Sequence, residues 1–422
     1  MSNSDQKKRD LELRFLQHLE LKMLDIVVDI CRKHGLTYYI SGGTFLGAVR
    51  HKGFIPWDDD VDLALPRKDY QRLLEILEKE LPDNLELVTY QSNQRYNFLR
   101  AQIWDKRLEI ALTDYDPVQI QPCWIDLFPL DGAPSAGIKR GLWKIKLSFY
   151  ELMWGLSRIE ESSQRHQGRT KAKQLAITVG KKIHLEKHMD PKRWCRRREA
   201  ALRHTPFEDS EYCLNAIGAY KFNSIFNVSE IYGEGSSFEF CGRELNGPSD
   251  FDAYLTQIYG DYMSLPPVEK RNWHGTKLVR KKKYSIGYTQ GTFDMLHVGH
   301  LNLLRNAKSM CDYLIVGVNS DDLVWEYKHK HPVISAGDRK AMLESLNVVD
   351  EVIITKTLDK EEILQLIPFE AIFIGSDWEG SARWRMTGER LAEKGVELVY
   401  LPHTDGVSST MLRPLSSDRI EG

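Results

Sequence analysis

The sequence predicts an α/β protein made of two unlike domains. From Tyr284 onward, short apolar segments alternate with amphipathic helical patterns, which predicts a doubly wound parallel sheet. Before that point the pattern is looser, with a long helix, separate strands and a basic helical extension, which predicts an α+β domain. No internal repeat relates the two parts, so we expect two different domains rather than a duplication.

The expected elements follow these patterns along the chain. In the first part we expect helices over 11–34 and 68–81, strands over 37–40, 61–65 and 124–128, and a mostly helical segment over 138–204. In the second part we expect strands over 284–288, 313–318, 351–354, 371–374 and 397–400, with helices around 299–309, 338–346, 360–366 and 384–394. A charged stretch before Tyr284 marks the boundary, so we predict domains over 1–275 and 284–413, a linker over 276–283 and a tail over 414–422.

Composition excludes several classes of protein. The 58 Lys and Arg residues nearly balance the 60 Asp and Glu residues, which excludes a globally basic nucleic-acid-binding protein. No apolar run approaches the ~20 residues of a membrane span, and the N-terminus lacks the apolar segment of a signal peptide, so we expect a cytoplasmic protein. The six cysteines form no C-x-x-C pair, and we expect them to be buried free thiols.

A strand-to-helix turn in the second domain combines residue types that suit phosphate binding. The predicted strand runs into Gly291-Thr292-Phe293-Asp294-Met295-Leu296-His297-Val298-Gly299-His300. His297 and His300 are three residues apart, so both lie on one side of the first helical turn, where a helix N-terminus favours anions. Gly291 lets backbone approach phosphate, and Gly299 lets the helix begin close to a ligand. The alternative is a turn that contains histidines by chance.

This segment resembles the G-T-F-D-x-x-H-x-G-H signature of the cytidylyltransferase family, and in particular bacterial glycerol-3-phosphate cytidylyltransferases. The resemblance covers about residues 284–413. It extends to Gly375-Ser376-Asp377-Trp378-Glu379-Gly380, to Thr404-Asp405-Gly406-Val407-Ser408-Ser409-Thr410, and to the helix start at Asp338-Arg339. One position departs from the family, because His403 stands where an arginine is usual.

The resemblance implies attack by a phosphomonoester oxygen on the α-phosphate of CTP, with pyrophosphate leaving and no side-chain nucleophile. It implies that His297 and His300 stabilise the reacting phosphate and that Lys328, with Lys330 as the alternative, neutralises phosphate charge. It also implies that the remaining motif residues bind or orient the nucleotide or the acceptor: Gly291, Thr292, Phe293, Asp294, Gly299, Arg339, Asp377, Ser408, Ser409 and Thr410.

The first domain carries a second group of phosphate-handling residue types. The run Ser41-Gly42-Gly43-Thr44-Phe45-Leu46-Gly47-Ala48-Val49-Arg50-His51 precedes Trp57-Asp58-Asp59-Asp60-Val61-Asp62. In a strand, Asp60 and Asp62 project to the same face and are close enough to share a divalent cation. Asp126, alone within an apolar strand, is a natural third carboxylate. Three oxygen ligands on adjacent strands suit Mg²⁺, or Mn²⁺, and phosphoryl transfer. The alternative is an acidic surface turn.

The longer string from Gly42 to Asp62 resembles the LicD family, which moves phosphocholine and related phospho-alcohols from a CDP carrier onto glycans. The resemblance covers about residues 12–274 and includes Ile125–Asp131, Tyr259–Met263 and Pro266-Pro267. It implies a phosphate cradle at Gly42, Gly43 and Thr44, and metal binding by Asp60, Asp62 and Asp126. It also implies that Arg50 and His51 contact the diphosphate or the acceptor, with Asp58 and Asp59 beside the metal ligands and His274 as a further candidate.

The basic segment of the first domain has two interpretations. Residues 139–203 contain 18 Lys or Arg and 6 Asp or Glu, a local excess of 12 positive charges. These charges either form solvated helix faces or, interleaved with aromatic residues, suit an anionic membrane surface or a phosphorylated glycan. Nothing else in the sequence supports nucleic-acid binding.

Together the two resemblances predict a bifunctional enzyme. The second domain would form a CDP-alcohol, with CDP-glycerol favoured, from CTP and a phospho-alcohol. The first would transfer the phospho-alcohol to a cell-surface glycan, which in one version is lipid-linked at the membrane surface. The cytoplasmic protein would then be peripheral at the inner face of the membrane, and we expect a homodimer. Two alternatives stay open: a single-activity cytidylyltransferase whose first domain only docks on a glycan or membrane, and a non-catalytic nucleotide sensor.

Overall fold

The computed structural model describes residues 3–113, 115, 117–158, 189–268, 271 and 276–404. The chain forms two compact units, residues 19–277 and residues 1–18 together with 278–422. The first 18 residues therefore group with the second unit, although the sequence-based division assigns them to the first domain. They do so because Phe15 packs edge-on against Tyr313, with ring centroids 5.3 Å apart, and His18 contacts the carboxylate of Glu351 at 3.1 Å.

The C-terminal unit is built on a five-stranded sheet whose adjacent strands are all parallel. Its spatial order is β13-β12-β11-β14-β15. The strands are β11 (Tyr284–Gly291), β12 (Cys311–Asn319), β13 (Glu351–Thr355), β14 (Ala371–Gly375) and β15 (Glu397–Leu401). The helices are α7 (Val298–Met310), α8 (Asp321–Lys328), α9 (Ala336–Glu344), α10 (Lys360–Leu366) and α11 (Ala382–Glu393). This architecture confirms the predicted doubly wound parallel sheet.

The strand order places a topological switch point at β11. The chain runs from β11 outward to β13 on one side, then returns to β14 on the other side. In open sheets of this kind, ligands bind at the carboxyl edge where the strand order reverses. The loops that follow β11 and β14 meet at this edge. They carry the Gly291–His300 segment and Asp377.

The N-terminal unit is built on a mixed eight-stranded sheet. Its main path is β1-β2-β5-β4-β10, and β3, β6 and β7 pair beside it. These strands are β1 (Tyr39–Ile40), β2 (Asp62–Pro66), β3 (Leu85–Val88), β4 (Ala101–Leu112), β5 (Gln119–Ala133), β6 (Tyr212–Leu214), β7 (Phe226–Asn227) and β10 (Thr276–Leu278). A separate hairpin consists of β8 (Ser236–Phe240) and β9 (Arg243–Gly247). Within the main sheet β2 and β5 are parallel, with Asp62 opposite Asp126.

Helices complete the N-terminal unit: α1 (Asn3–His34), of which residues 19–34 belong here, α2 (Gly42–His51), α3 (Arg67–Glu80), α4 (Ile138–Leu156), α5 (Pro191–Arg203) and α6 (Phe251–Tyr259). Residues 159–188 of the predicted basic helical segment lie outside the described residues. Within the described ranges, none of the helices is both long and apolar enough to cross a membrane.

All six cysteines are free thiols, as expected, but only five of them are buried. Cys241 is exposed, which corrects the expectation for this residue. It lies in the turn between β8 and β9 with a left-handed φ of 50°, where a tight hairpin projects side chains away from the core.

Candidate active sites

The start of α2 packs directly against an acidic loop. Gly42 has a φ of 54°, and a Cβ at this position would lie 2.7 Å from Oδ2 of Asp62. A Cβ on Gly43 would lie 2.6 Å from Oδ2 of Asp58. Only glycine leaves room for these carboxylates beside the N-terminus of α2, where negative charge is favoured. The structure therefore brings the glycine pair and the acidic run together.

The predicted phosphate ligand Thr44 is a buried residue with a structural contact. Its Oγ1 accepts a hydrogen bond of 2.9 Å from the backbone N–H of Asp62. This bond attaches the start of β2 to α2. Thr44 thereby holds Asp62 in place, and direct phosphate contact by its hydroxyl stays a prediction.

Asp126 lies beside Asp62 on the neighbouring strand, as the sequence predicts, but protein donors surround it. Its Oδ1 accepts hydrogen bonds from Arg100 at 2.5 Å and Gln102 at 2.9 Å, and its Oδ2 accepts one from the indole N–H of Trp124 at 3.2 Å. Among the described residues, no group of three or more His, Cys, Asp or Glu side chains is close enough together to hold a metal ion.

The donor chemistry of the acidic loop nevertheless fits a divalent cation. Burial raises the pKa of Glu20 well above its ordinary value, and the nearby carboxylates of Asp59, Asp60, Asp58 and Asp62 raise it further. These four residues thus concentrate negative charge that a bound cation would neutralise. Asp60 and Asp62 offer the oxygen ligands that Mg²⁺ prefers, and Asp126 is their neighbour across the sheet. The three-carboxylate metal set stays a prediction.

A cavity of about 1000 Å³ opens beside these carboxylates. Asp60, Asp62 and Asp126 line it, together with aromatic side chains that include Tyr96, Phe98, Trp104, Tyr115, Trp124, Phe128 and Trp154. Ligand pockets typically occupy ~300–1,000 Å³, so this cavity has room for a nucleotide diphosphate. The predicted carboxylates therefore face a space of suitable size.

Arg50 and His51 lie at the other end of α2, about 12 Å along the helix axis from Gly42. Arg50 donates from Nη1 to the carbonyl oxygen of Tyr262 at 2.6 Å. Burial, followed by the charge of Arg50, lowers the pKa of His51. The structure does not bring these two residues next to the glycine pair, so their contact with a diphosphate or an acceptor stays a prediction.

In the C-terminal unit, the segment after β11 is a tight loop held in an unusual backbone conformation. Phe293 and Met295 have left-handed φ values of 53° and 47°, which cost free energy for residues with side chains. His297 caps α7, because its Nδ1 accepts a hydrogen bond of 3.2 Å from the backbone N–H of Gly299. The rings of His297 and His300 are stacked, with centroids 3.8 Å apart. The loop thus presents the predicted histidine pair at the carboxyl edge of the sheet.

Both histidines are held in their neutral forms. Burial, with a smaller contribution from His297, lowers the pKa of His300 to about 4. Burial also lowers the pKa of His297. The buried Nδ1 of His300 has no hydrogen-bond partner among the residues that the structure describes. Two stacked neutral imidazoles avoid charge repulsion and can take up a proton or donate hydrogen bonds when phosphate charge arrives.

Lys328 reaches the same loop from the end of α8. Its Nζ lies 3.1 Å from Oγ1 of Thr292, which is also 2.9 Å from the hydroxyl of Tyr327. An ammonium at this position adds positive charge beside the histidine pair. The structure therefore places Lys328 beside the predicted site, and the choice between Lys328 and Lys330 stays a prediction.

Arg339 is fully buried and bonded to the protein. Its guanidinium donates to the carbonyl oxygens of Thr292 at 2.5 Å, Asn319 at 3.0 Å and Ile334 at 2.8 Å, and to the carboxylate of Asp321 at 2.5 Å. These are the contacts of a residue that positions the Thr292 loop. Contact between Arg339 and nucleotide phosphate stays a prediction.

Like Arg339, Asp294 forms hydrogen bonds with backbone groups of the protein. Its buried carboxylate accepts hydrogen bonds of 3.0–3.1 Å from the N–H groups of Val333 and Ile334.

Asp377 is exposed in the turn after β14, with its carboxylate folded over Gly375. His403 lies nearby, since its N–H donates to Oγ of Ser376 at 3.2 Å. Ser408, Ser409, Thr410 and His274 lie outside the described residues.

Sequence patterns missed the residues that hold the predicted site residues in place. Arg100 and Gln102 bind Asp126, and Thr276 donates to Asp59. The only signal for Gln102 is its position opposite Asp126 in the antiparallel β4–β5 pair, which requires the strand register. No local motif marks these residues.

Comparison with known proteins agrees with this geometry. A family described as cytidylyltransferase-like matches residues 288–414, and the LicD/FKTN/FKRP nucleotidyltransferase domain matches residues 35–130. The lipopolysaccharide cholinephosphotransferase LicD of Haemophilus influenzae is 30% identical over 273 residues, which cover 63% of this chain and 97% of that protein.

Other relatives match over a shorter part of the chain, of the length of the C-terminal domain. The glycerol-3-phosphate cytidylyltransferase of Staphylococcus aureus is 39% identical over 126 residues, which cover 30% of this chain and 89% of that protein. The enzyme of the same name from Bacillus subtilis is 37% identical over 127 residues, which cover 30% of this chain and 92% of that protein.

The two folds and their sites define a fused biosynthetic enzyme with two transferase domains. The chain belongs to the LicD phosphotransferase family and carries a cytidylyltransferase domain in the same polypeptide. Both resemblances predicted from the motifs are thereby confirmed.

Proposed function

We propose that this chain makes CDP-glycerol and then transfers glycerol phosphate from it to a cell-surface glycan. The observation that carries the proposal is the presence, in one chain, of a histidine pair at a sheet switch point and a carboxylate-lined cavity in a LicD domain. The product of the first reaction is the activated substrate that the second requires.

In the first reaction, a phosphate oxygen of glycerol 3-phosphate attacks the α-phosphorus of CTP. A new P–O bond forms, the bond to the β-phosphate oxygen breaks, and pyrophosphate leaves. His297, His300 and Lys328 surround the loop where this charge develops, and preorganised donors of this kind stabilise such a transition state. Arg339 and Asp294 act indirectly by fixing the loops.

In the second reaction, the oxygen of a glycan hydroxyl attacks the phosphorus that carries glycerol. A new P–O bond forms, the bond from that phosphorus to the bridging oxygen breaks, CMP leaves with the bridging oxygen, and the hydroxyl proton passes to solvent. Asp60, Asp62 and Asp126 would hold Mg²⁺ or Mn²⁺, which supplies charge neutralisation for the diphosphate. Gly42 and Gly43 leave space for the acidic loop against α2. Thr44 fixes the backbone of Asp62 by its hydrogen bond.

Two aromatic rings that line the cavity already contact arginines, which supports the choice of glycerol over choline. The guanidinium of Arg158 lies 4.2 Å from the ring centroid of Phe98 and 4.5 Å from that of Trp154, and Arg100 lies 4.7 Å from Phe98. A trimethylammonium group binds best over aromatic faces. It would compete here with two resident cations for the same rings, whereas glycerol would not.

The alternative is a single-activity cytidylyltransferase whose LicD domain only docks on a glycan or membrane. Carboxylates that face a cavity of nucleotide size favour the two-activity proposal. The glycan acceptor, the lipid-linked form of that acceptor and a homodimeric assembly belong to the proposal as well.

A two-stage assay tests the function. Purified protein receives CTP, Mg²⁺ and either glycerol 3-phosphate or phosphocholine, and pyrophosphate and the CDP-alcohol are measured by coupled assay and mass spectrometry. We expect CDP-glycerol. Formation of CDP-choline alone would overturn the choice of glycerol, and absence of pyrophosphate with both would overturn the first activity.

Matched variants separate the two steps. We expect His300→Ala to abolish pyrophosphate release. We expect Asp62→Asn to spare that release and to abolish release of CMP from CDP-glycerol in the presence of glycan acceptor. Asp83→Asn, at an exposed acid of the same unit, is the control and should alter neither. Absence of CMP release in the wild type, with pyrophosphate release retained, would favour the docking alternative. Wild-type rates of both steps in Asp62→Asn would overturn the role of Asp62.

A further inference from the structure

Helix α4 exposes a continuous apolar stripe. Five large side chains follow a spacing of four and three residues and share one face, with exposed fractions of 84%, 64%, 67%, 50% and 59% for Ile138, Leu142, Ile145, Phe149 and Leu152. The opposite face packs into the unit: Leu147 is buried, and Trp143, Tyr150 and Trp154 contact the same core cluster. The stripe is therefore additional to the face that the fold uses.

Positive charges border this stripe. Lys139 and Lys146 are exposed and lie about 80–100° around the helix axis from its centre. Beside it on α5, Trp194 has its ring centroid 6.1 Å from that of Phe149, and the guanidinium of Arg197 lies 4.9 Å from the centroid of Trp194.

The acidic residue of α4 points away from this border. Glu151 forms an ion pair with Lys221 at 2.6 Å and lies 3.6 Å from Arg198, whose side chain is buried. The exposed surface of α4 thus combines apolar side chains with a border of positive charge. An aromatic residue at its edge completes the pattern of an interfacial helix.

Charge decides between two occupants of this surface. Antiparallel pairing of α4 with α4 of a second copy would bring the two basic borders to the same side of the pair, and like charges at such positions repel. An anionic lipid surface accepts the apolar stripe at the level of the acyl chains and the lysines at the level of the headgroups. We propose that the α4–α5 face, residues 138–152 with Trp194 and Arg197, binds the surface of a membrane that contains anionic lipid.

Vesicle co-sedimentation with the full chain tests this proposal. The probes are vesicles of phosphatidylcholine with and without phosphatidylglycerol, at low and high salt. We expect binding only with phosphatidylglycerol and weakening by salt. The double variant Lys139→Ser/Lys146→Ser should weaken binding about fivefold per lysine. The double variant Leu142→Glu/Ile145→Glu should weaken it at least about tenfold.

The control carries the same change elsewhere. Leu366 and Met386 are exposed large apolar side chains of the C-terminal unit, so Leu366→Glu/Met386→Glu should bind vesicles like the wild type. A urea unfolding curve of each variant checks that its N-terminal and C-terminal units are both folded.

Three results would overturn the proposal. The first is no binding to either kind of vesicle, even if the chain is retained on a soluble anionic polymer. The second is binding that the stripe variants leave unchanged. The third is a mass in light scattering that falls from dimer to monomer in Leu142→Glu/Ile145→Glu, which would assign the stripe to contact between copies. None of these results bears on CDP-glycerol synthesis, which the soluble assay measures separately.

Discussion

Replacing Gly42 by alanine tests whether the acidic loop must pack against the start of α2. Two penalties are expected. The left-handed φ of 54° costs a residue with a side chain about 1 kcal/mol. The new Cβ would also lie 2.7 Å from Oδ2 of Asp62, whereas ordinary contact begins at 3.4 Å, so the carboxylate must move by about 0.7 Å. Misplacement of a reacting group by ~1 Å can cost about 10²-fold in rate, so we expect CMP release to fall about 10- to 100-fold.

Gly35→Ala is the matched control. Gly35 has a similar φ of 63°, but no atom lies within 4 Å of the position that a Cβ would take there, so only the backbone penalty applies. Urea unfolding should show a loss of about 1 kcal/mol in both variants, while CMP release should fall only in Gly42→Ala. Pyrophosphate release should be unchanged in both.

The decisive comparison is the ratio of CMP release between these two variants. If both lose the same stability and keep the same rate, the approach of Asp62 to α2 does not matter for the second reaction. The idea of a glycine-dependent acidic site would then fail, even if the enzyme transfers glycerol phosphate.

Three further predictions follow from buried groups. Thr44→Val leaves the N–H of Asp62 unpaired and should destabilise the chain by about 1–3 kcal/mol in urea unfolding, whereas Thr44→Ser should recover most of the loss; equal losses would contradict this. Because the folded chain keeps His300 neutral down to a pKa of about 4, the free energy of unfolding should fall by about 2 kcal/mol from pH 7 to pH 5, where the unfolded ring is protonated. His300→Gln should remove that part of the pH slope, and an unchanged slope would refute the assignment. Arg339→Met should lower the free energy of unfolding, measured without CTP, by about 3 kcal/mol or more. An unchanged free energy of unfolding with a raised KM for CTP would instead indicate that Arg339 binds phosphate.

The sequence predicted the strand and the helix around the C-terminal candidate site because their determinants are local. The strand before Gly291, the turn and the helix that begins at Val298 are consecutive, and period and capping signals mark each of them. The predicted strand ended at Tyr288 and the observed β11 ends at Gly291, a difference of three residues. Helix α8 was not predicted, although it delivers Lys328, because its eight residues show only a short apolar pattern.

The partners within each site could not be predicted, because they come from distant parts of the chain. Arg100 is 26 residues from Asp126 and reaches it only through the β4–β5 pairing. Arg339 is 47 residues from Thr292, and a motif comparison assigns it to phosphate because sequence does not show what covers a guanidinium. Spacing therefore identifies residue types suited to the chemistry, whereas register and burial determine which of them support the others.

The two sites balance charge by different physical means, and this difference is the reason why we predict a metal ion at only one of them. Burial keeps His297 and His300 neutral, so the C-terminal loop needs no counter-charge before substrate arrives. In the N-terminal unit burial, and after it the negative charge of the acidic loop, raises the pKa of Glu20, and the three side-chain donors around Asp126 offset the charge of that carboxylate. Of the residues that the structure describes, Asp60 and Asp62 are therefore the ones where we predict that a cation brought with the diphosphate would bind.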